Sequence, residues 1–84
     1  MNYEEMFRKY ISENILFSKD GYPYPDNTSF LEEGIVDSTS VLELIIFIEE
    51  NFNISVDDSE ILPDNFDSIS NLVAYVHRKT SITA

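Results

Sequence analysis

The sequence predicts an all-α fold: a small bundle of three main helices plus one short helix, with a long first loop. Two observations predict it. Apolar residues recur every three or four positions in three segments, the spacing that places them on one helical face. No segment alternates apolar and polar residues over a useful length, as a half-buried strand would. The 84 residues suffice for one domain. Residues 1–84 are therefore read as a single unit whose core depends on efficient helix packing.

The first helix is expected over Asn2–Leu16, where Tyr3, Met6, Phe7, Tyr10, Ile11 and Ile15 share a face. Gly21, Pro23 and Pro25 then break any helix. The loop so formed extends to Val36, with one short helical turn near Phe30 and Leu31. Long ordered loops in compact domains are often functional. The second helix is expected over Ser38–Asn51, followed by a connection over Phe52–Asp57. A short helical turn over Asp58–Leu62 would be stopped by Pro63. Asp67 or Ser68 would cap the last helix, in which Ile69, Leu72, Val73 and Val76 line one face. His77, Arg78 and Lys79 near its end complement the helix dipole.

Composition narrows the function. Without Cys there is no disulfide framework and no thiolate metal site, and any thiol chemistry must come from a cofactor. Sixteen acidic against five basic residues give a formal net charge of -11. That charge argues against nucleic acid and anionic membranes as partners and suits encounter with basic protein patches. The N-terminus lacks the apolar run of a signal peptide, and the longest apolar run, Leu44–Ile48, is too short to span a bilayer. A cytoplasmic monomer with no membrane insertion is expected. The acidic clusters at Asp20-Gly21 and Asp57-Asp58 lack the alternating ligands of a calcium loop, so no metal site is expected. No nucleophile–base–acid set is visible. The single histidine, His77, reads as a charge at a helix end, and no catalytic residue is assigned.

The informative segment is Gly34-Ile35-Val36-Asp37-Ser38-Thr39-Ser40-Val41-Leu42-Glu43-Leu44. On a wheel of 3.6 residues per turn, Val41, Leu44, Ile45, Ile48 and Phe52 fall on the core side. Thr39, Leu42, Glu43, Ile46 and Glu50 fall opposite, with Glu49 nearby. Two aliphatic side chains among carboxylates read either as a wide core stripe or as a docking face for a partner with an apolar patch rimmed by Lys or Arg. Asp37 and Ser38 stand at the helix start, where both types are ordinary N-caps, and Ser40 with Glu43 matches a capping box. A phosphate on Ser38 would also meet the N–H groups and dipole of a helix N-terminus.

These residues resemble the attachment motif of acyl and peptidyl carrier proteins: Gly, two apolar residues, Asp-Ser, then an acidic amphipathic helix. Here that is Gly34-Ile35-Val36-Asp37-Ser38, then Val41–Ile46 and Glu49-Glu50-Asn51-Phe52. Ile54-Ser55-Val56-Asp57-Asp58 and Asn65–Ile69 follow in the family's order, so the resemblance covers nearly the whole chain. It implies an acyl-carrier-like bundle that is not an enzyme. It further implies a 4'-phosphopantetheine arm, derived from coenzyme A, on Ser38, with Asp37 fixing the helix start. Acyl or aminoacyl cargo would be held on that arm as a thioester. The implied partners are a phosphopantetheinyl transferase, a loading enzyme and downstream acyl-transferring enzymes. Thr39, where many fatty-acid carriers have Leu, and the Tyr22-Pro23-Tyr24-Pro25 loop look more like standalone carriers loaded by adenylating enzymes. The alternatives are a fatty-acid or polyketide carrier, and an unmodified acidic module that binds partners through Leu42 and Ile46. An Asp-Ser-aliphatic triplet before the last helix, Asp67-Ser68-Ile69, lacks the preceding Gly-apolar-apolar run, and Ser68 reads as a plain helix cap.

Overall fold

A computed structural model describes residues 2–82 of the chain, with side chains described through residue 80. Three long helices carry the fold: α1 (Tyr3–Asn14), α3 (Ser38–Phe52) and α5 (Ile69–Ile82). Two single-turn helices lie between them, α2 (Phe30–Glu33) and α4 (Pro63–Phe66), together with a 3-10 turn at Asp58–Glu60. The described residues contain no strand. The three long helices match the expectation from apolar spacing. The short elements outnumber it.

Local chemistry sets each boundary. Asn2 opens α1 by accepting the Glu5 N–H at 2.8 Å. The helix stops at Asn14, two residues earlier than its apolar stripe suggests, because the N–H groups of Ile15 and Leu16 both turn back to the Ile11 carbonyl. Asn53, in the left-handed conformation, ends α3 one residue beyond the expected Asn51. Pro63, read from sequence as a stop, instead begins α4. The first position of a helix has no intrahelical use for an N–H, so proline is well tolerated there. Ser68 caps the last helix, accepting the Asn71 N–H at 3.0 Å. Asp67, the other candidate for that role, turns the opposite way and caps α2.

The core is one contiguous cluster. Phe7 and Ile11 of α1, Leu44 and Ile48 of α3, and Ile69, Leu72, Tyr75 and Val76 of α5 meet at its centre. Phe30 and Phe66 close one end from the two short helices. The α5 helix packs against α1, α3 and α4. Between α1 and α3 the contact is aromatic. Tyr10 stacks on Phe47 with ring centroids 4.2 Å apart, and Phe7 meets both Phe47 and Phe52.

The long first loop is tied down. Arg8 reaches from α1 to Asp26 with two hydrogen bonds of 2.8 Å, a planar fork matched to a carboxylate. The Asp26 carbonyl accepts the Ser70 N–H, which stitches the loop to α5. Tyr22 and Tyr24 pack edge to face against one another and against the core. The Tyr-Pro stretch is thus part of the packed structure. No described helix is long and apolar enough to cross a membrane.

Candidate functional site

Each residue from Gly34 to Ser38 has a distinct mechanical task. Gly34 ends α2 at φ 65°, ψ 26°, a conformation that Gly adopts freely and most other residues resist. Its N–H returns to the Leu31 carbonyl and that of Ile35 to the Phe30 carbonyl. The chain is thereby reversed within one residue. Ile35 and Val36 then plunge into the core, each 5 % exposed. Two buried anchors in succession fix where the next residues emerge.

Asp37 follows as the N-cap of α3. One carboxylate oxygen accepts the N–H groups of Ser40 at 2.8 Å and Thr39 at 3.1 Å. These bonds, chiefly the Ser40 N–H and then the Ser40 hydroxyl, hold the Asp37 carboxyl below its ordinary range. Asp37, and not the Ser40–Glu43 pair suggested by sequence, therefore caps this helix. Its carboxylate also takes the N–H groups that an anion on Ser38 was expected to use. A phosphate there would stand outside this cap, in solvent.

Ser38 is the first residue of α3 and is exposed. Among the described residues its hydroxyl makes no hydrogen bond. Ser68 differs in both respects. It is 5 % exposed, and its hydroxyl oxygen is engaged by Asn71. Of the three Asp-Ser pairs, those ending at Ser38 and Ser59 present their serine to solvent, Ser59 from the 3-10 turn, and the one ending at Ser68 buries it.

From Ser38 onward, α3 shows two faces. Leu44 and Ile48 are fully buried, and Val41, Ile45 and Phe52 pack on the core from its edge. On the outer side Thr39, Glu43 and Glu50 are exposed, and Leu42 and Ile46 keep 60 % and 55 % of their surface in water. These five predicted docking residues share one face. Glu49 departs from it: half-buried, its carboxylate accepts the Val56 N–H at 2.9 Å and holds the connection after α3. Sequence reasoning missed Phe47, which a wheel places between the two faces and which the structure assigns to the aromatic contact with α1.

A small apolar cavity of about 150 Å³ opens beside this motif, lined by Phe30, Leu31, Val36, Val41 and residues 61–63 and 66–67. Leu31 and Leu62 stand at it as exposed aliphatic side chains. The exposed His77 of α5 places its ring 4.8 Å from that of Tyr3.

Three comparisons bear on the chain. The phosphopantetheine attachment site family matches residues 21–76. "Probable acyl carrier protein PigG" of a Serratia species is 35% identical over 60 residues, covering 71% of this chain and 67% of its own. "Acyl carrier protein" of Buchnera aphidicola is 31% identical over 80 residues, covering 93% of this chain and 94% of its own.

Proposed function

The chain belongs to the phosphopantetheine-attachment family of carrier proteins, and from that premise we propose that Ser38 is the residue that bears the 4'-phosphopantetheine arm. The matched span contains all three Asp-Ser pairs, ending at Ser38, Ser59 and Ser68, so family membership alone does not choose among them. What favours Ser38 is an exposed hydroxyl at the start of the long helix α3, directly after Gly34-Ile35-Val36-Asp37; Ser59 is exposed too but lies in a 3-10 turn without that preceding run, and the Ser68 hydroxyl is buried and engaged.

The residues fit such a group. Ser38 supplies an accessible hydroxyl. Asp37 keeps the first turn of α3 closed, and Ile35 and Val36 hold the loop against the core. The attachment point is thus rigid while whatever extends from it is free to move. When bound, the arm supplies the thiol that this Cys-free chain lacks and holds acyl cargo as a thioester. We read the chain as a bearer of substrate and not a catalyst, a reading supported by the contact of its single histidine, His77, with the Tyr3 ring. Thr39, Leu42, Glu43, Ile46 and Glu50 form the face that partner enzymes meet, with Glu49 at its margin. A cytoplasmic monomer, one domain over residues 1–84, completes the reading.

Incubation with coenzyme A, Mg2+ and a broad-specificity phosphopantetheinyl transferase tests it by intact mass. One phosphopantetheine is expected on the wild type and on Ser68→Ala, and none on Ser38→Ala. Modification of Ser38→Ala, or an unmodified wild type beside a modified control carrier, overturns the assignment.

For cargo, the reading is an amino acid or other carboxylate delivered by an adenylating enzyme. Thr39, exposed next to Ser38, is the residue that supports it. Loading by fatty-acyl enzymes with none by an adenylating enzyme would reverse it in favour of a fatty-acid or polyketide carrier.

A further inference from the structure

Three helices of this fold are followed by a residue in the left-handed conformation. After α2 it is Gly34, and after α3 it is Asn53 at φ 55°. Both residue types accept that conformation readily. After α1 it is Phe17, at φ 52°. A bulky aromatic residue is an outlier there. Its backbone is held on both sides: the Leu16 N–H bonds to the Ile11 carbonyl at 2.9 Å and the Ser18 N–H to the Ser12 carbonyl at 2.8 Å. Packing does not explain the choice, because Phe17 is 78 % exposed, the most exposed large apolar side chain described. A residue strained in backbone and unrewarded in burial points to a role outside folding.

Its surroundings indicate that role. Phe17 forms one wall of an open groove of about 380 Å³, whose other lining includes Ile46, Phe47, Glu43 and Glu50. Ile46, Glu43 and Glu50 also belong to the outer face of α3. The groove therefore continues that face sideways onto the end of α1. Its floor is apolar and two carboxylates rim it. Those carboxylates converge on the groove: after burial, Glu43 and Glu50 are the causes that push the Tyr10 hydroxyl up from its ordinary pKa.

We infer that Phe17 is a docking residue for the transferase that modifies Ser38, whose apolar side chain, next to an Arg or Lys, seats between Phe17 and Ile46 with its cation facing Glu43 and Glu50. This rests on the carrier reading of Ser38. The transferase is the partner that must reach the serine hydroxyl itself. Ile46 lies eight residues along α3 from Ser38, about 12 Å at 1.5 Å per residue. A specific interface covers about 800 Å² on each partner, roughly 30 Å across. A footprint of that size that takes in Ser38 towards one side extends along α3 past Ile46 to Glu50, about 18 Å away, and so covers the groove. An unpaired basic group opposite two exposed carboxylates in a protein of net charge -11 is the complementary chemistry.

The test uses the full chain, coenzyme A and a broad-specificity phosphopantetheinyl transferase. Phe17→Asn places in the left-handed position a residue that tolerates it, as Asn53 does, and removes the aromatic wall. Its melting temperature is expected to equal or exceed the wild type's. Its kcat/KM for modification is expected to fall about tenfold, mostly through KM, the effect of losing one apolar anchor. Phe17→Leu should keep most of the rate. A Phe17→Asn variant modified as fast as wild type overturns the inference and leaves the carrier reading intact. A variant that melts well below wild type also overturns it, by making Phe17 a packing residue. A wild type that is never modified overturns the carrier reading, and this inference falls with it.

Discussion

Ser29 and Asp67, 38 positions apart in sequence, are joined by a 2.6 Å hydrogen bond from the Ser29 hydroxyl to the Asp67 carboxylate. The other Asp67 oxygen accepts the Leu31 N–H at 3.0 Å, and the Asp67 carbonyl accepts the Phe30 N–H at 2.7 Å. One residue before α5 therefore organises the start of α2. A four-residue helix has no stability of its own. It persists because Asp67 and Ser29 cap it and Phe30 is buried. Since α2 leads through Gly34 into Asp37 and Ser38, this tie sets the stage for the candidate site.

Asp67→Ala should therefore cost more than an ordinary surface substitution, about 1–3 kcal/mol, because it strips a cap and leaves the Ser29 hydroxyl without its acceptor. Urea melts measure the loss. Amide exchange at Leu31 and Ile35 should accelerate more than at Leu72. Uniform acceleration across all three would instead mean that Asp67 stabilises the fold globally and not α2 in particular.

Gly34→Ala meets no steric obstacle, since a Cβ there has nothing within 4 Å. Its penalty is conformational alone, about 1 kcal/mol for an L-residue at φ 65°. Gly34→Asn should recover much of that loss because Asn tolerates the left-handed region. Equal destabilisation by both, read from thermal melts, would point to a contact and not to backbone strain.

Ile46 and Ile48 test the two faces of α3. Ile48 is fully buried and Ile46 is 55 % exposed. Ile48→Lys places an uncompensated charge in the core and should unfold the domain. Ile46→Lys should change stability by about 0.5 kcal/mol or less. It should slow modification and loading, because the new charge opposes a basic partner. Glu43→Lys should slow the encounter, with an effect that shrinks as salt rises. If Ile46→Lys melts as badly as Ile48→Lys, the outer face is core.

Acid should weaken the fold through three carboxylates. The guanidinium of Arg8 holds Asp26 below its ordinary value near 3.8, the Ser40 N–H holds Asp37 below it, and the Asp57 N–H followed by Lys79 holds Glu60 below 4.5. A depressed native pKa binds fewer protons than the unfolded chain does. The stabilisation is thus complete above the unfolded values and is lost as pH falls through the native ones. Stability should hold down to about pH 5 and decline below about pH 4. Because Asp37 is exposed and Asp26 and Glu60 are only partly buried, each contribution is small. Urea midpoints at pH 5 and pH 3 measure it. Asp26→Asn should show a smaller drop than wild type, and an identical drop would remove Asp26 from the account.

By itself the sequence determined the three long helices and the motif at Gly34–Ser38, and narrowed the cap of the last helix to Asp67 or Ser68. Each is written in local patterns: a 3.6-residue apolar period, a hydroxyl before an apolar run, a fixed order of residue types. It also placed Leu42, Ile46, Glu43 and Glu50 together, since one helix suffices to align them. Tertiary structure decided what depends on residues far apart in the chain. Asp67 caps α2 and not α5 because packing brings residues 29 and 67 together, and no local rule counts that distance. Glu49 leaves the outer face because Val56 returns to meet it. Phe47 joins the core edge because Tyr10 lies opposite. Phe17 stays exposed, although its type argues for burial, where the chain leaves α1 in a left-handed turn. Ser38 and Ser68, alike in their local Asp-Ser sequence, part company for the same reason: the neighbours that bury one hydroxyl and leave the other in water come from elsewhere in the fold.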